Sequence, residues 1–412
     1  MCIRDRITVF ARKVTEDPSE SKKTIDDAFR HCIEEFRPVY LEVPQDLWEL
    51  ELGNTTIPKC NSELPPPNDE FVKKCVNALA HSERPVIFIG VEIVRRNLLC
   101  EVTSLLETLN IPFVTTALAK SFLPESHKNF VGCYDSDLFH SDRFKIVDES
   151  DCLLALGCIW GIDHREIVVR KFQEMIEIQF GNGRVFEQKF KTVDLKTNLA
   201  AIVDASKEHP YTVTNEKNRP KQPSGALTHD LTFDSINEFL NGKEDIQVVM
   251  DTCLGSFPGA DLEMPSTEMY LANPVWLSIG QGTPASIGSF LANGKRPLII
   301  SGDGGFQMVA QTFSTMVKYK VPALVIVLDN ELYAIEQYLI DKSYFEEEKP
   351  PLEYVKLNGW NYENFPLVFA GGYGRVAHTS AELSLHLIDW HNDKSGQPWI
   401  IGCKIGKKDL PN

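Results

Sequence analysis

The chain has 412 residues, 43% of them apolar and 24% charged, and at roughly 150 residues per domain it accommodates two to three globular domains. Forty-two Lys and Arg against 58 Asp and Glu give a net charge of −16, which argues against general nucleic-acid binding because an acidic surface repels phosphate backbones. No apolar run approaches the ~18 residues of a membrane span, so no membrane role is expected. The ten cysteines (Cys2, Cys32, Cys60, Cys75, Cys100, Cys133, Cys152, Cys158, Cys253 and Cys403) form no Cys-x-x-Cys pair and sit mostly in apolar runs. That is the pattern of reduced, buried thiols in a cytoplasmic protein, not of a disulfide framework.

Residues 1–6 carry neither the apolar core nor the cleavage site of a secretory signal. Residues 7–10 read as the end of a strand. Residues 24–36 read as a helix with Ile25, Phe29, Cys32 and Ile33 on one face, and 38–44 as a short buried strand between Pro38 and Pro44. One helix and one or two strands cannot enclose a core, so the chain reads as beginning inside a domain. Residues 51–69 are polar and proline-rich, ending in Pro65, Pro66 and Pro67, and read as a linker. From 70 to 205 helical patterns alternate with apolar strands at 85–90, 111–115, 152–157 and 176–180, and a second polar linker covers 206–229. From 230 to 412 the alternation resumes, with strands at 247–251, 296–301, 323–328 and 398–402. Strands that are apolar throughout and separated by helices predict doubly wound α/β domains with parallel sheets covered on both faces.

The sharpest chemical signal is Ser-Gly-Asp-Gly-Gly at 301–305, directly after a strand. A glycine-flanked aspartate there lies where open α/β sheets bind ligands. Residues 306–319 read as one helix, with Phe306, Val309, Phe313, Met316 and Val317 on one face, so the glycines open a helix N-terminus suited to an anion. Asp303 conflicts with an anion unless a cation lies between them, and Mg²⁺ favours such carboxylate-plus-phosphate sites. The next strand ends in Asp329, Asn330 and Glu331, further hard oxygen donors that adjacent parallel strands would bring beside Asp303. Each group alone is an ordinary turn or cap; together they favour a metal–diphosphate site.

Gly-Asp-Gly at 302–304, separated by 24 residues from Asp329-Asn330, resembles the thiamine-diphosphate signature, with Asp329 in place of its first asparagine. Leu-Tyr-Ala-Ile-Glu at 332–336 resembles the segment that follows in 2-oxo-acid decarboxylases of the pyruvate and indolepyruvate group. Trp-Leu-Ser-Ile-Gly at 276–280 resembles their cofactor-cradling strand and turn. Met-Asp-Thr-Cys-Leu-Gly at 250–255 resembles the loop near the diphosphate and aminopyrimidine, although Cys253 and Leu254 stand where small or hydroxylated residues are common. The resemblance extends to 357–362 and, in the middle of the chain, to 84–90, 111–116 and 123–125.

The resemblance implies the thiamine-diphosphate-enzyme fold: a central domain at 70–205, a C-terminal diphosphate-binding domain at 230–412, and residues 1–50 as the last part of an otherwise missing pyrimidine-binding domain. It implies Mg²⁺ held by the side chains of Asp303 and Asn330 and the carbonyl of Leu332. Thiamine diphosphate would contact Thr252, Leu254, Ser278, Ile279, Asp303, Gly304, Gly305, Asn330, Leu332 and Ile335, with Ile279 the apolar wedge that bends it. Glu336 would be the catalytic acid near the substrate carboxylate, with Ile335 and residues 337–340 lining the pocket. The expected reaction is non-oxidative decarboxylation of a 2-oxo acid to an aldehyde and CO₂, by a homodimer or homotetramer.

The family's activating glutamate and paired histidines belong to the first domain, and none of the ten histidines adjoins another. The chain therefore reads as an incomplete copy in which residues 1–6 are foreign sequence, or as a natural short form. Three further readings stand beside the decarboxylase. An acetolactate-synthase-like carboligase would be favoured by a flavin-binding glycine pattern, which the middle domain lacks. A non-catalytic regulatory chain would have little reason to keep Asp303, Asn330 and Glu336 together. A nicotinamide-dependent dehydrogenase would need Gly-x-Gly-x-x-Gly after a strand, whereas Gly90 opens Gly-Val-Glu-Ile-Val-Arg.

Overall fold

The computed structural model describes residues 8–53, 64–135, 144–207 and 224–411. Cys2, Cys60, residues 1–7 and the inner parts of both expected linkers lie outside the described residues. Strand β1 (Phe10–Lys13) pairs in parallel with β2 (Val39–Glu42) across helix α1 (Pro18–Glu35). The helix starts earlier than its apolar pattern suggests. Asp17 accepts the Ser19 and Glu20 amides at 2.8 and 3.1 Å, and Pro18 suits a first helical position. The expected burial is not found: Phe29 is 53% exposed, Ile33 is 39% exposed and no residue of β2 is buried. A two-stranded sheet with one helix has no opposing layer to cover these faces.

The middle unit contains helix α2 (Asp69–His81), β3 (Pro85–Ile89), α3 (Leu99–Leu109), β4 (Phe113–Thr115) and β5 (Phe130–Cys133). It continues with β6 (Cys152–Leu156), β7 (Met175–Gln179), β8 (Gly181–Val185), β9 (Gln188–Val193) and α4 (Leu195–Ala205). Its sheet order is β5-β4-β3-β6-β7-β8-β9. The five strands from β5 to β7 are parallel; β8 and β9 add an antiparallel hairpin that the apolar-run criterion does not find. Gln-Lys-Phe-Lys-Thr-Val in β9 has four polar residues of six because that edge strand is largely exposed.

The third unit contains helix α5 (His229–Leu240), β10 (Ile246–Met250), β11 (Tyr270–Ala272), α6 (Gly282–Asn293), β12 (Arg296–Gly302), α7 (Asp303–Val309) and α8 (Thr312–Tyr319). After these come β13 (Leu324–Asp329), α9 (Ala334–Ile340), β14 (Tyr373–Ala377), α10 (Ser380–Asn392) and β15 (Trp399–Lys404). The sheet is wholly parallel in the order β11-β10-β12-β13-β15-β14. Strands β10, β12, β13 and β15 are almost entirely buried, their two faces filling separate apolar clusters around Trp390 and around Phe313. The single helix expected over 306–319 is two. The chain tightens at the junction, where the Phe313 and Ser314 amides reach back only three residues to the carbonyls of Ala310 and Gln311, both at 3.1 Å.

The middle and third units are bolted together at the β11 edge. Buried Lys120 donates to Glu125 and to the Leu262 carbonyl, both at 2.7 Å, while Glu125 accepts the Met264 amide at 2.9 Å. The Ser121 hydroxyl accepts the Met269 and Tyr270 amides, both at 3.0 Å. Of the described cysteines, Cys75, Cys133, Cys152, Cys158 and Cys403 are buried, Cys32 and Cys253 half-buried and Cys100 exposed; all are free thiols.

Candidate functional site

Strand β10 has β11 on one side and β12 on the other, so the loops leaving β10 and β12 diverge and open a crevice at their carboxyl ends. The cleft there encloses about 400 Å³, part of it open to solvent. Its lining draws on the loop after β10 (Thr252, Cys253, Leu254), the turn before α6 (Ile279), the start of α7 (Asp303, Gly304, Gly305) and the segment after β13 (Asn330, Leu332, Tyr333, Ile335, Glu336). The lining residues from Thr252 to Glu336, 84 positions apart in sequence, thus meet because four parallel-strand ends meet.

Asp303 is the hub. Its carboxylate accepts its neighbour Gly304's amide at 2.8 Å and the Glu331 amide at 2.6 Å, tying the ends of β12 and β13 together. Burial pushes its carboxyl up to about 7, the amide contacts pull the other way, and Asp329 adds repulsion. Among the described residues no cationic side chain is ion-paired with it. The Gly304 amide, expected to be open to an anion, is instead engaged by this carboxylate. The Asn330 side-chain oxygen accepts the Leu332 amide at 3.1 Å, and the Leu332 carbonyl accepts the Ala334 amide at 2.9 Å. Each of these oxygens keeps a further lone pair. A buried acid that is costly to ionise, beside an amide oxygen and a carbonyl, is a hard-oxygen donor set suited to Mg²⁺.

Glycine is required at the cradle for space. A Cβ on Gly304 would stand 2.2 Å from the Tyr333 ring, and one on Gly305 would stand 3.1 Å from Asp251 and Ser301 and 3.3 Å from Ile279. Beneath them Asp251, at the end of β10, accepts the Thr252 amide at 2.9 Å and the Gly280 amide at 3.1 Å, and the Ser301 hydroxyl at 2.7 Å. Burial raises its carboxyl above the ordinary range despite these donors. Leu254, Ile279 and Ile335 give the cleft an apolar side. Glu336 is half-buried, yet its Oε2 atom is buried with no hydrogen-bond partner among the described residues.

Two expectations fail here. Residues 276–280 form no strand, and Ser278 is exposed outside the cleft, its carbonyl accepting the Gln281 amide at 3.2 Å as the turn folds back. Residues 337–340 do not line the cleft either. Gln337 is fully buried, donating to the Asp341 carbonyl and accepting the Leu352 amide, both at 2.9 Å, while Leu339 and Ile340 face outward. The structure also adds residues that sequence reading misses. His229 lines the cleft with its ring Nδ1 2.7 Å from Asp409, and Tyr333 packs over Gly304. Asp329 is paired with Lys404 at 2.5 Å. The separation of 180 residues between His229 and Asp409 leaves no local signal.

Residues 72–202 match the thiamine pyrophosphate enzyme central domain, and residues 255–385 match the C-terminal TPP-binding domain of the same enzymes. The chain belongs to the thiamine pyrophosphate enzymes. Ile279 and every lining residue from Gly302 to Glu336 fall inside the second match, whereas Thr252 and Leu254 lie just before it. Among relatives of this thiamine pyrophosphate enzyme, a pyruvate decarboxylase of Aspergillus fumigatus is 26% identical over 373 residues, covering 86% of this chain and 64% of that protein. A probable pyruvate decarboxylase of Schizosaccharomyces pombe is 23% identical over 432 residues, covering 97% of this chain and 72% of that protein. The structure of benzoylformate decarboxylase from Polynucleobacter necessarius shares the fold, with a TM-score of 0.71 at 18% identity over 98% of this chain and 77% of that one. The chain thus spans under two thirds of the length of the Aspergillus relative. No helix among the described residues is long and apolar enough to cross a membrane.

Proposed function

We propose that this chain carries the diphosphate- and Mg²⁺-binding half of a thiamine-diphosphate-dependent decarboxylase, which converts a 2-oxo acid to an aldehyde and CO₂. The observation that carries the reading is Asp303: a buried carboxylate at a strand end, tied to the next strand, with no cationic partner among the described residues. A divalent cation held by this carboxylate would resolve that arrangement by supplying the missing positive charge. Asp303 and Asn330 would hold Mg²⁺ by their side chains and Leu332 by its carbonyl. The cofactor would rest on Thr252, Leu254, Gly304, Gly305, Ile335 and the Ile279 wedge, with Ser278 backing that wedge from outside the cleft.

When bound, thiamine diphosphate supplies the electron sink that decarboxylation of a 2-oxo acid needs. The rest falls to the protein. Leu254, Ile279 and Ile335 exclude water, and a drier site favours loss of the charged carboxylate group. Glu336, with its unsatisfied Oε2 atom in the cleft wall, is the side chain that would deliver a proton to the aldehyde carbon. The named activities of the relatives, pyruvate and benzoylformate decarboxylation, support a 2-oxo acid as substrate class.

Titration calorimetry with thiamine diphosphate in the presence of Mg²⁺, followed by aldehyde release from a panel of 2-oxo acids, tests the reading. Saturable binding that Asp303→Ala abolishes is the expected result. Absence of binding by the wild type, or equal binding by Asp303→Ala, would overturn it.

A further inference from the structure

Asp329 poses a problem of charge. It directly precedes Asn330, its side chain is 1% exposed, and it stands at the end of β13, next to the end of β12 that carries Asp303. Two buried carboxylates at neighbouring strand ends repel each other and attract any cation more strongly than one does. The fold supplies an answer from the strand on the other side of β13. Strand β15 pairs with β13 in parallel, and the register places Lys404 directly opposite Asp329. The ammonium reaches the carboxylate at 2.5 Å, and the Ile405 amide donates to the Asp329 carbonyl at 3.1 Å, so the pair sits on two locked strands. A second lysine of the same stretch, Lys407, meets Glu331 at 2.8 Å, but both side chains are well exposed and solvent screens them.

We propose that Lys404 is a positioning residue acting as a built-in counter-charge. It neutralises Asp329, so that the site presents one uncompensated carboxylate, Asp303, to a divalent cation instead of two. This rests on the reading that Asp303 and Asn330 hold a metal ion. The site then has the charge balance of a single buried acid even though its sequence carries two. Removing the lysine leaves a buried carboxylate without a partner, which weakens the metal-free fold and turns Asp329 into additional attraction for the ion. Removing the aspartate leaves the ammonium uncompensated beside the ion and repels it. Removing both restores the wild-type charge.

The test uses the full chain as wild type, Lys404→Met, Asp329→Asn, the double variant, and Lys407→Met as the exposed-pair control. Binding of Mn²⁺ alone is read from its free-ion electron paramagnetic resonance signal, and metal-free thermal unfolding is followed in parallel. Lys404→Met is expected to bind Mn²⁺ about fivefold more tightly, Asp329→Asn about fivefold more weakly, and the double variant within about twofold of wild type. Lys404→Met should unfold at a lower temperature without metal, and adding Asp329→Asn should recover most of that loss, a coupling that two independent sites would not show. Lys407→Met, whose partner is well exposed, should change both readouts much less than Lys404→Met does. If Lys404→Met does not fold, weaker binding by Asp329→Asn together with near-wild-type binding by the double variant supports the counter-charge role on its own. Wild-type affinity in Lys404→Met, or a double variant no more stable than Lys404→Met, overturns the inference while leaving the cofactor reading intact. Failure of the wild type to bind Mn²⁺ overturns the metal reading and the inference with it.

Discussion

Replacing Asp251 separates two things a buried carboxylate does: accepting hydrogen bonds and carrying charge. Its oxygens accept from the Thr252 and Gly280 amides and the Ser301 hydroxyl, so this one side chain joins the ends of β10 and β12 to the turn bearing Ile279. A net worth of about 1 to 1.5 kcal/mol for each bond gives on the order of 3 to 4 kcal/mol for the set. The charge opposes this, because burial makes ionisation unfavourable enough to lift the carboxyl above its ordinary range. Asp251→Ala should therefore cost about 2 to 4 kcal/mol and leave the Gly280 amide without an acceptor. Asp251→Asn keeps the acceptor for both amides and can donate to the Ser301 oxygen, so it should cost about 1 kcal/mol or less. Urea unfolding gives the global difference, and hydrogen exchange at the Gly280 amide gives the local one, with marked loss of protection in Asp251→Ala alone. Equal destabilisation by the two variants would show that charge, not connectivity, is what the fold uses.

Gly304→Ala should cost only about 1 to 3 kcal/mol, because the Tyr333 ring that its Cβ would meet at 2.2 Å belongs to a half-buried side chain that can move aside. It should nevertheless weaken thiamine diphosphate binding about tenfold or more, because the displaced Tyr333 ring shares the cleft wall; calorimetric titration showing unchanged affinity would contradict this. The metal-free protein should lose stability as pH rises. Asp303 holds its proton up to about pH 7 when folded but releases it near pH 4 when unfolded, so the folded state binds more protons between these limits. The loss is on the order of 3 to 4 kcal/mol, complete above pH 7, and Asp303→Asn should lack that slope; denaturant midpoints measured from pH 4 to 8 with chelator present decide the point.

The sequence by itself determined the alternating α/β plan and several of the residues that line the cleft. Strands such as Leu324–Asp329 and Trp399–Lys404 are apolar up to their charged last residues because a parallel sheet covered on both faces leaves no wet side, and that burial is written residue by residue. Gly302, Asp303, Gly304, Asn330 and Glu336 were legible because glycines and hard oxygen donors at consecutive strand ends have few other uses. Edge elements were not. Tyr373–Ala377 and the Gly181–Val193 hairpin mix polar and apolar residues because each has one open face, and the turn at Ser278 is hidden from a strand pattern because its nearest contacts are local. The pairs Asp329–Lys404 and His229–Asp409, and the bonds of Asp251 to Gly280 and Ser301, were decided by tertiary structure alone. A parallel register or a chain end brought across a cleft joins residues 29 to 180 positions apart, and no local pattern constrains a lysine or histidine to find its carboxylate at that distance. What each residue can do is local chemistry; which residues share one buried charge is settled only when the strands line up.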